Sequence, residues 1–130
     1  MVYKLKAAYA WVLGNTNADW VVKADDDTVV RVSSIGKFLS QYSPTNPTVV
    51  GRIIYGPPVH KQGKWADMDY IPRQYPPWPQ GSCGHVVSRP IVEYVVENID
   101  KLHEYQGEDT SLGIWLDQSP IKQNVVWKNS

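Results

Sequence analysis

The stretch Asp19-Trp20-Val21-Val22-Lys23-Ala24-Asp25-Asp26-Asp27-Thr28-Val29-Val30 sets three consecutive aspartates at the end of an apolar run. Residues 20–22 read as a buried strand, and the β-branched residues 28–30 as a second. Adjacent carboxylates repel one another unless a cation shares them. Mg²⁺ and Mn²⁺ prefer oxygen ligands and are commonly held by one or two carboxylates plus substrate phosphates. The segment therefore fits a metal–diphosphate site. Taken alone, it fits a solvated acidic turn at least as well.

Outward from this stretch, periodicity alternates between helical and extended. Residues 3–13 carry a helical stripe of Leu5, Ala8, Tyr9 and Val12, stopped by Gly14-Asn15. Ser33 or Ser34 is placed to cap a second helix through Tyr42, with Ile35, Phe38 and Leu39 on one face. Residues 48–55 read as a strand ending at Gly56-Pro57-Pro58, and residues 60–80 as turns and short hairpins. Residues 81–88 form a turn into a buried strand. Ser88 and Pro90 then open a helix to about His103. Residues 108–116 read as a short helix with acidic first-turn residues that suit its dipole, and residues 122–127 as a closing strand. The class is α/β.

At 130 residues the chain is one domain at most. Thirteen basic and thirteen acidic residues leave no net charge, so non-specific nucleic-acid binding has no electrostatic support. The single cysteine, Cys83, excludes an internal disulfide or a cysteine-based zinc site. No stretch reaches the length of a membrane span, and no signal peptide is evident. An EF-hand is excluded because Val29, Val30 and Arg31 stand where oxygen ligands are needed. A glycoside hydrolase would also use two carboxylates, but a triplet beside a strand suits a metal better.

A second carboxylate segment is Tyr105-Gln106-Gly107-Glu108-Asp109-Thr110-Ser111-Leu112-Gly113-Ile114-Trp115. Gly107 permits a tight turn, and either carboxylate could take a proton from an acceptor hydroxyl. Ordinary helix capping explains the same residues.

Together and in this order, the two segments resemble the β1,3-glycosyltransferases of glycosyltransferase family 31. The shared landmarks are the hydrophobic-Lys-x-Asp-Asp-Asp segment, Trp65, Tyr75-Pro76, the glycine-containing turn into Val86-Val87-Ser88, and Glu108-Asp109 followed by Gly113. The resemblance implies a GT-A-like nucleotide-sugar-binding fold, with residues 1–130 a single partial glycosyltransferase domain, the C-terminal portion. It further implies metal-dependent, inverting transfer from a UDP-sugar to the 3-hydroxyl of a glycan acceptor on protein or lipid. The cofactor would be Mn²⁺ or Mg²⁺, held by Asp27 and Asp25. Lys23, Asp25, Asp26, Gly84 and His85 would serve the donor, with Gly81 also letting backbone approach it. Asp109 would be the catalytic base, with Glu108 the lesser choice, and Trp65, Tyr75 and Trp78 would stack on sugars or pack the core. The expected location is the lumenal side of the Golgi or ER membrane, through an N-terminal anchor missing from this chain.

The chain departs from the family pattern at Ser82-Cys83-Gly84-His85, where glycines and an aromatic are usual. His85 is accordingly either a donor contact or a hydrogen-bonded, half-buried histidine. A further metal-binding histidine beyond the last strand has no equivalent before Ser130. The competing reading is a truncated, non-catalytic sugar-binding or nucleotide-sugar-binding remnant.

Overall fold

A computed structural model of the chain describes all residues except Met1, Asp27, Pro57, Trp65, Ser82, Cys83 and Ser130. The elements in order are α1 (Val2–Asn15), β1 (Trp20–Lys23), α2 (Val32–Leu39), β2 (Thr48–Gly51), β3 (Ile53–Ile54), β4 (Trp78–Pro79), β5 (His85–Ser88), α3 (Arg89–Glu97), α4 (Glu108–Asp117) and β6 (Val126–Asn129). The main sheet has the order β1-β5-β2-β6. β5 runs antiparallel to both β1 and β2, and β6 runs parallel to β2. β3 and β4 form a separate two-stranded ribbon.

Alternation along the strands divides the core between two faces. Val49 and Val87 face a cluster built from Val2, Leu5 and Tyr9 of α1 and Ile91, Val92 and Val95 of α3. Val50 and Val86 face the opposite way, against Leu39, Ile35 and Phe38 of α2. The result is helix, sheet, helix. Each fully buried aliphatic side chain contributes about 1.5–3 kcal/mol by leaving water, so the α1/α3 face holds most of the stabilisation.

α4 is different in kind. Thr110, Ser111 and every residue on to Leu116 are buried, as expected of a helix enclosed on all sides. Gly113 is what lets it fit, because a Cβ there would stand 2.6 Å from Trp78 Cβ and collide with the Pro77 carbonyl. That close approach fixes the middle of α4 against the β4 segment.

Several expected boundaries move. Residues 28–31 are not a strand. The Thr28 N–H closes a turn onto the Asp25 carbonyl, and Val29 and Val30 are exposed. α2 begins at Val32, and no side chain caps it, so neither Ser33 nor Ser34 plays that part. The expected strand at 48–55 breaks at Arg52, whose carbonyl accepts the Gln80 N–H. α3 ends at Glu97, where the Asn98 amide folds back onto the Tyr94 carbonyl. Ser88 precedes α3 without capping it, because its hydroxyl instead links Thr48 N–H and the Asn46 carbonyl. The last strand starts at Val126, after a 3-10 turn at Lys122–Asn124.

Candidate active site

The two carboxylate segments meet at one end of the main sheet. β1 finishes at Lys23, β2 at Gly51, and β5 begins at His85, which pairs with both. The turn into β5 passes so close to β1 that Gly84 adopts φ +73°, and a Cβ there would lie 2.8 Å from the Lys23 carbonyl oxygen. Only glycine takes this conformation without strain.

Lys23 joins the segments. Its Nζ donates to Asp25 Oδ1 at 2.9 Å and to Glu108 Oε1 at 2.8 Å. Burial alone would lower the Lys23 pKa, but the hydrogen bonds and charges of Glu108 and Asp25 raise it above its ordinary value. Burial would likewise raise Glu108, yet the Lys23 hydrogen bond and charge outweigh it, and its pKa falls.

The adjacent carboxylate moves the opposite way. Asp109 is half-buried between two glycines: a Cβ on Gly81 would stand 3.1 Å from its Oδ2, and one on Gly107 would stand 2.8 Å from its Oδ1. Oδ2 accepts the Gly81 N–H at 3.0 Å, and Oδ1 accepts the Thr110 N–H at 2.8 Å. Burial raises its pKa and the neighbouring Glu108 charge adds to this, overcoming the lowering effect of the two N–H donors. Two carboxylates whose environments drive their pKa values apart are the usual mark of separate roles in one site.

A cleft of about 400 Å³ lies over the strand ends, lined by Lys23, Ala24, Arg31, Gly51, Gly84 and His85 and floored by apolar residues from α2 and the sheet. His85 is 2 % exposed, and neither ring nitrogen has a partner among the described residues. It is therefore neither half-buried nor hydrogen-bonded.

The family model for galactosyltransferases matches residues 1–126. The chain belongs to the galactosyltransferase family. This galactosyltransferase-family domain is 33% identical over 114 residues to mouse UDP-GalNAc:β1,3-N-acetylgalactosaminyltransferase 2, covering 87% of this chain and 22% of the relative. The human counterpart is 32% identical, at 87% and 23% coverage. A hydroxyproline O-galactosyltransferase of Arabidopsis thaliana is 30% identical over 137 residues, at 98% and 20% coverage. The domain thus spans about a fifth of the length of these curated relatives.

The expected site residues distribute unevenly over this geometry. Lys23, Asp25, Gly84, His85, Glu108 and Asp109 gather at the strand ends, while Asp26 is exposed beside them. Asp27 and Trp65 lie outside the described residues. Of the two roles expected for it, Tyr75 has the position of a core residue. Its ring is buried, stacked on Tyr70 at 5.5 Å with Trp78 at its edge, and its hydroxyl donates to the buried Asp67 at 3.1 Å. Trp78 is half-buried, with Nε1 unpartnered. Gln80 and Arg31 are not among the site residues expected from the sequence. A polar side chain two residues after a tryptophan in a Pro/Gly-rich turn carries no distinctive signal, whereas the spacing of Arg31 from the aspartates could have drawn attention.

No three His, Cys, Asp or Glu side chains form a metal cage among the described residues. Asp25 offers one carboxylate that is half-buried and held from one side by Lys23. This donor chemistry fits an open site completed by phosphate oxygens and water, the mode Mg²⁺ and Mn²⁺ favour, rather than a closed protein site.

Proposed function

We propose that this domain, as part of a GT-A-like enzyme, transfers a hexosyl or N-acetylhexosaminyl group from a UDP-sugar to the 3-hydroxyl of a glycan acceptor on protein or lipid. The observation that carries the reading is the opposed tuning of Glu108 and Asp109 beside the aspartate segment. Asp109, with its pKa raised, is the general base. It takes the acceptor hydroxyl proton as the acceptor oxygen bonds to the anomeric carbon, while the carbon–oxygen bond to UDP breaks and its electron pair leaves with the diphosphate. Attack opposite UDP inverts the configuration, giving a β-linked product from an α-linked donor.

Gly81 and Thr110 N–H groups orient the base. Glu108 stays ionised against Lys23 and holds α4 to the donor side. Asp25 and Asp27 would hold Mn²⁺ or Mg²⁺, whose charge would offset that of the diphosphate. Trp78 is the proposed sugar platform on the acceptor side. The relatives' names, an N-acetylgalactosaminyltransferase and a galactosyltransferase, support GalNAc or galactose as the transferred sugar. The family assignment also supports a lumenal Golgi or ER location. No helix among the described residues is long and apolar enough to cross a membrane.

The test is UDP release from UDP-GalNAc and UDP-Gal with Mn²⁺ and a panel of aryl glycoside acceptors. Acceptor-dependent release lost in Asp109→Asn supports the reading. Release that survives Asp109→Asn at the wild-type rate contradicts it.

A further inference from the structure

Five buried side-chain polar atoms lack a hydrogen-bond partner among the described residues, and four of them belong to Trp78, Gln80 and His85, within residues 78–85. Buried polar groups in folded proteins are overwhelmingly partnered, and leaving one idle forfeits its hydrogen bonds to water. Both nitrogens of His85 are idle. The residue opens β5 opposite Lys23 and Gly51 and lines the cleft at the strand ends. Gly51 packs directly against it, since a Cβ on Gly51 would stand 3.1 Å from the His85 Cβ.

The charge state of the ring defines the partner. Burial, reinforced by Lys23, lowers the His85 pKa to about 4 against the opposing pull of Glu108 and Asp25. At neutral pH the imidazole is therefore uncharged, with one nitrogen donating and the other accepting. A phosphate oxygen only accepts, and Lys23 and Arg31 provide cations in the same cleft. A hydroxyl both donates and accepts, and a polyhydroxylated ring offers several.

We propose that His85 reads the sugar ring of the nucleotide-sugar donor, giving one hydrogen bond and taking one from its hydroxyls. The proposal rests on the donor reading above and adds the residue that recognises the sugar as distinct from the nucleotide.

The test is calorimetric titration with UDP, UDP-GalNAc and UDP-Gal in Mn²⁺, for wild type, His85→Phe and His85→Gln. UDP affinity is expected to agree among the three proteins within about twofold. The extra affinity of the better UDP-sugar over UDP is expected to fall about tenfold in His85→Phe, the worth of one or two hydrogen bonds, and to return in part in His85→Gln. The melting temperature of His85→Phe should be no lower than wild type, because the imidazole makes no internal hydrogen bond to lose. An unchanged sugar-to-UDP ratio in His85→Phe, or no sugar preference in wild type, overturns the role of His85 while leaving the nucleotide site standing. Equal losses for UDP and UDP-sugars, or a destabilised fold, mark His85 as structural and also overturn it. Absence of UDP binding to folded wild type overturns both readings.

Discussion

Lys23 Nζ lies 2.8 Å from Glu108 Oε1, across 85 positions of sequence. The same ammonium lies 2.9 Å from Asp25 Oδ1, so one cation ties the aspartate segment to the helix that carries the proposed base. Both side chains of the long-range pair are largely shielded, at 16% and 17% exposure, which sets it apart from surface pairs of negligible worth. Removing one partner strands the other. Lys23→Met is expected to cost about 2–3 kcal/mol, toward the low end for a broken buried pair. The double variant with Glu108→Gln should recover part of that loss. Urea denaturation of the four proteins of the cycle measures the coupling, and an additive result would show that the pair contributes nothing.

Asp109→Asn keeps an oxygen for the Gly81 N–H and removes the capacity to accept a proton. Turnover is expected to fall by about a hundredfold or more, the scale of a lost general base. Stability at neutral pH should change little, since relief of the buried charge offsets the loss of an acceptor for the Thr110 N–H. In the wild type, the acid limb of the rate profile should lie above the ordinary aspartate range. A pH–rate profile and a thermal melt of the same preparation test both halves.

His85 sets a pH dependence whose sign is fixed. Its pKa is about 4 when folded and 6.5 ordinarily, so between those values the unfolded chain binds the extra proton. Stability then rises with pH through that window and is lost as pH falls through it, by about 3 kcal/mol for a shift of this size. Glu108, lowered from 4.5, adds a loss of the same sign only at the acid end, and Asp109, raised from 3.8, opposes it there. The part of the slope that His85→Phe removes belongs to His85. His85→Phe should flatten it in denaturant titrations at stepped pH.

Gly113→Ala inserts a methyl group against Trp78 and the Pro77 carbonyl. Backbone cannot yield there as a flexible side-chain tip would. A loss of about 2–3 kcal/mol is expected from overpacking. Turnover should drop further than stability alone explains, because displacing α4 from β4 moves Asp109 off the Gly81 N–H. Turnover measured well below the melting temperature separates the two effects.

How far the sequence revealed this arrangement depends on whether each feature is set locally. Trp20–Lys23 and the start of α4 at Glu108 were legible to the residue, because apolar content and a glycine boundary mark them in place. The supposed strand at 28–30 was not one. Its β-branched residues satisfy propensity, but no partner strand reaches them, and propensity without a partner does not make a sheet. The break at Arg52 and the late start of β6 are likewise set by pairing with distant segments. Within the site, the carboxylates and His85 were visible as residue types. The Lys23–Glu108 link and the orphaned state of His85 depend on strand register and on the docking of α4, which no local window contains. Tyr75 looked like a sugar platform for the same reason that it makes a good core residue: a broad, partly polar ring.

The most direct test of the account is UDP titrated calorimetrically into the folded domain with and without Mn²⁺, repeated for Asp25→Asn and Asp27→Asn. Binding that requires the metal and is lost in both variants is the predicted result. UDP binding that ignores Mn²⁺ and both substitutions, or no binding by the folded wild type, would contradict a donor site at the aspartate segment.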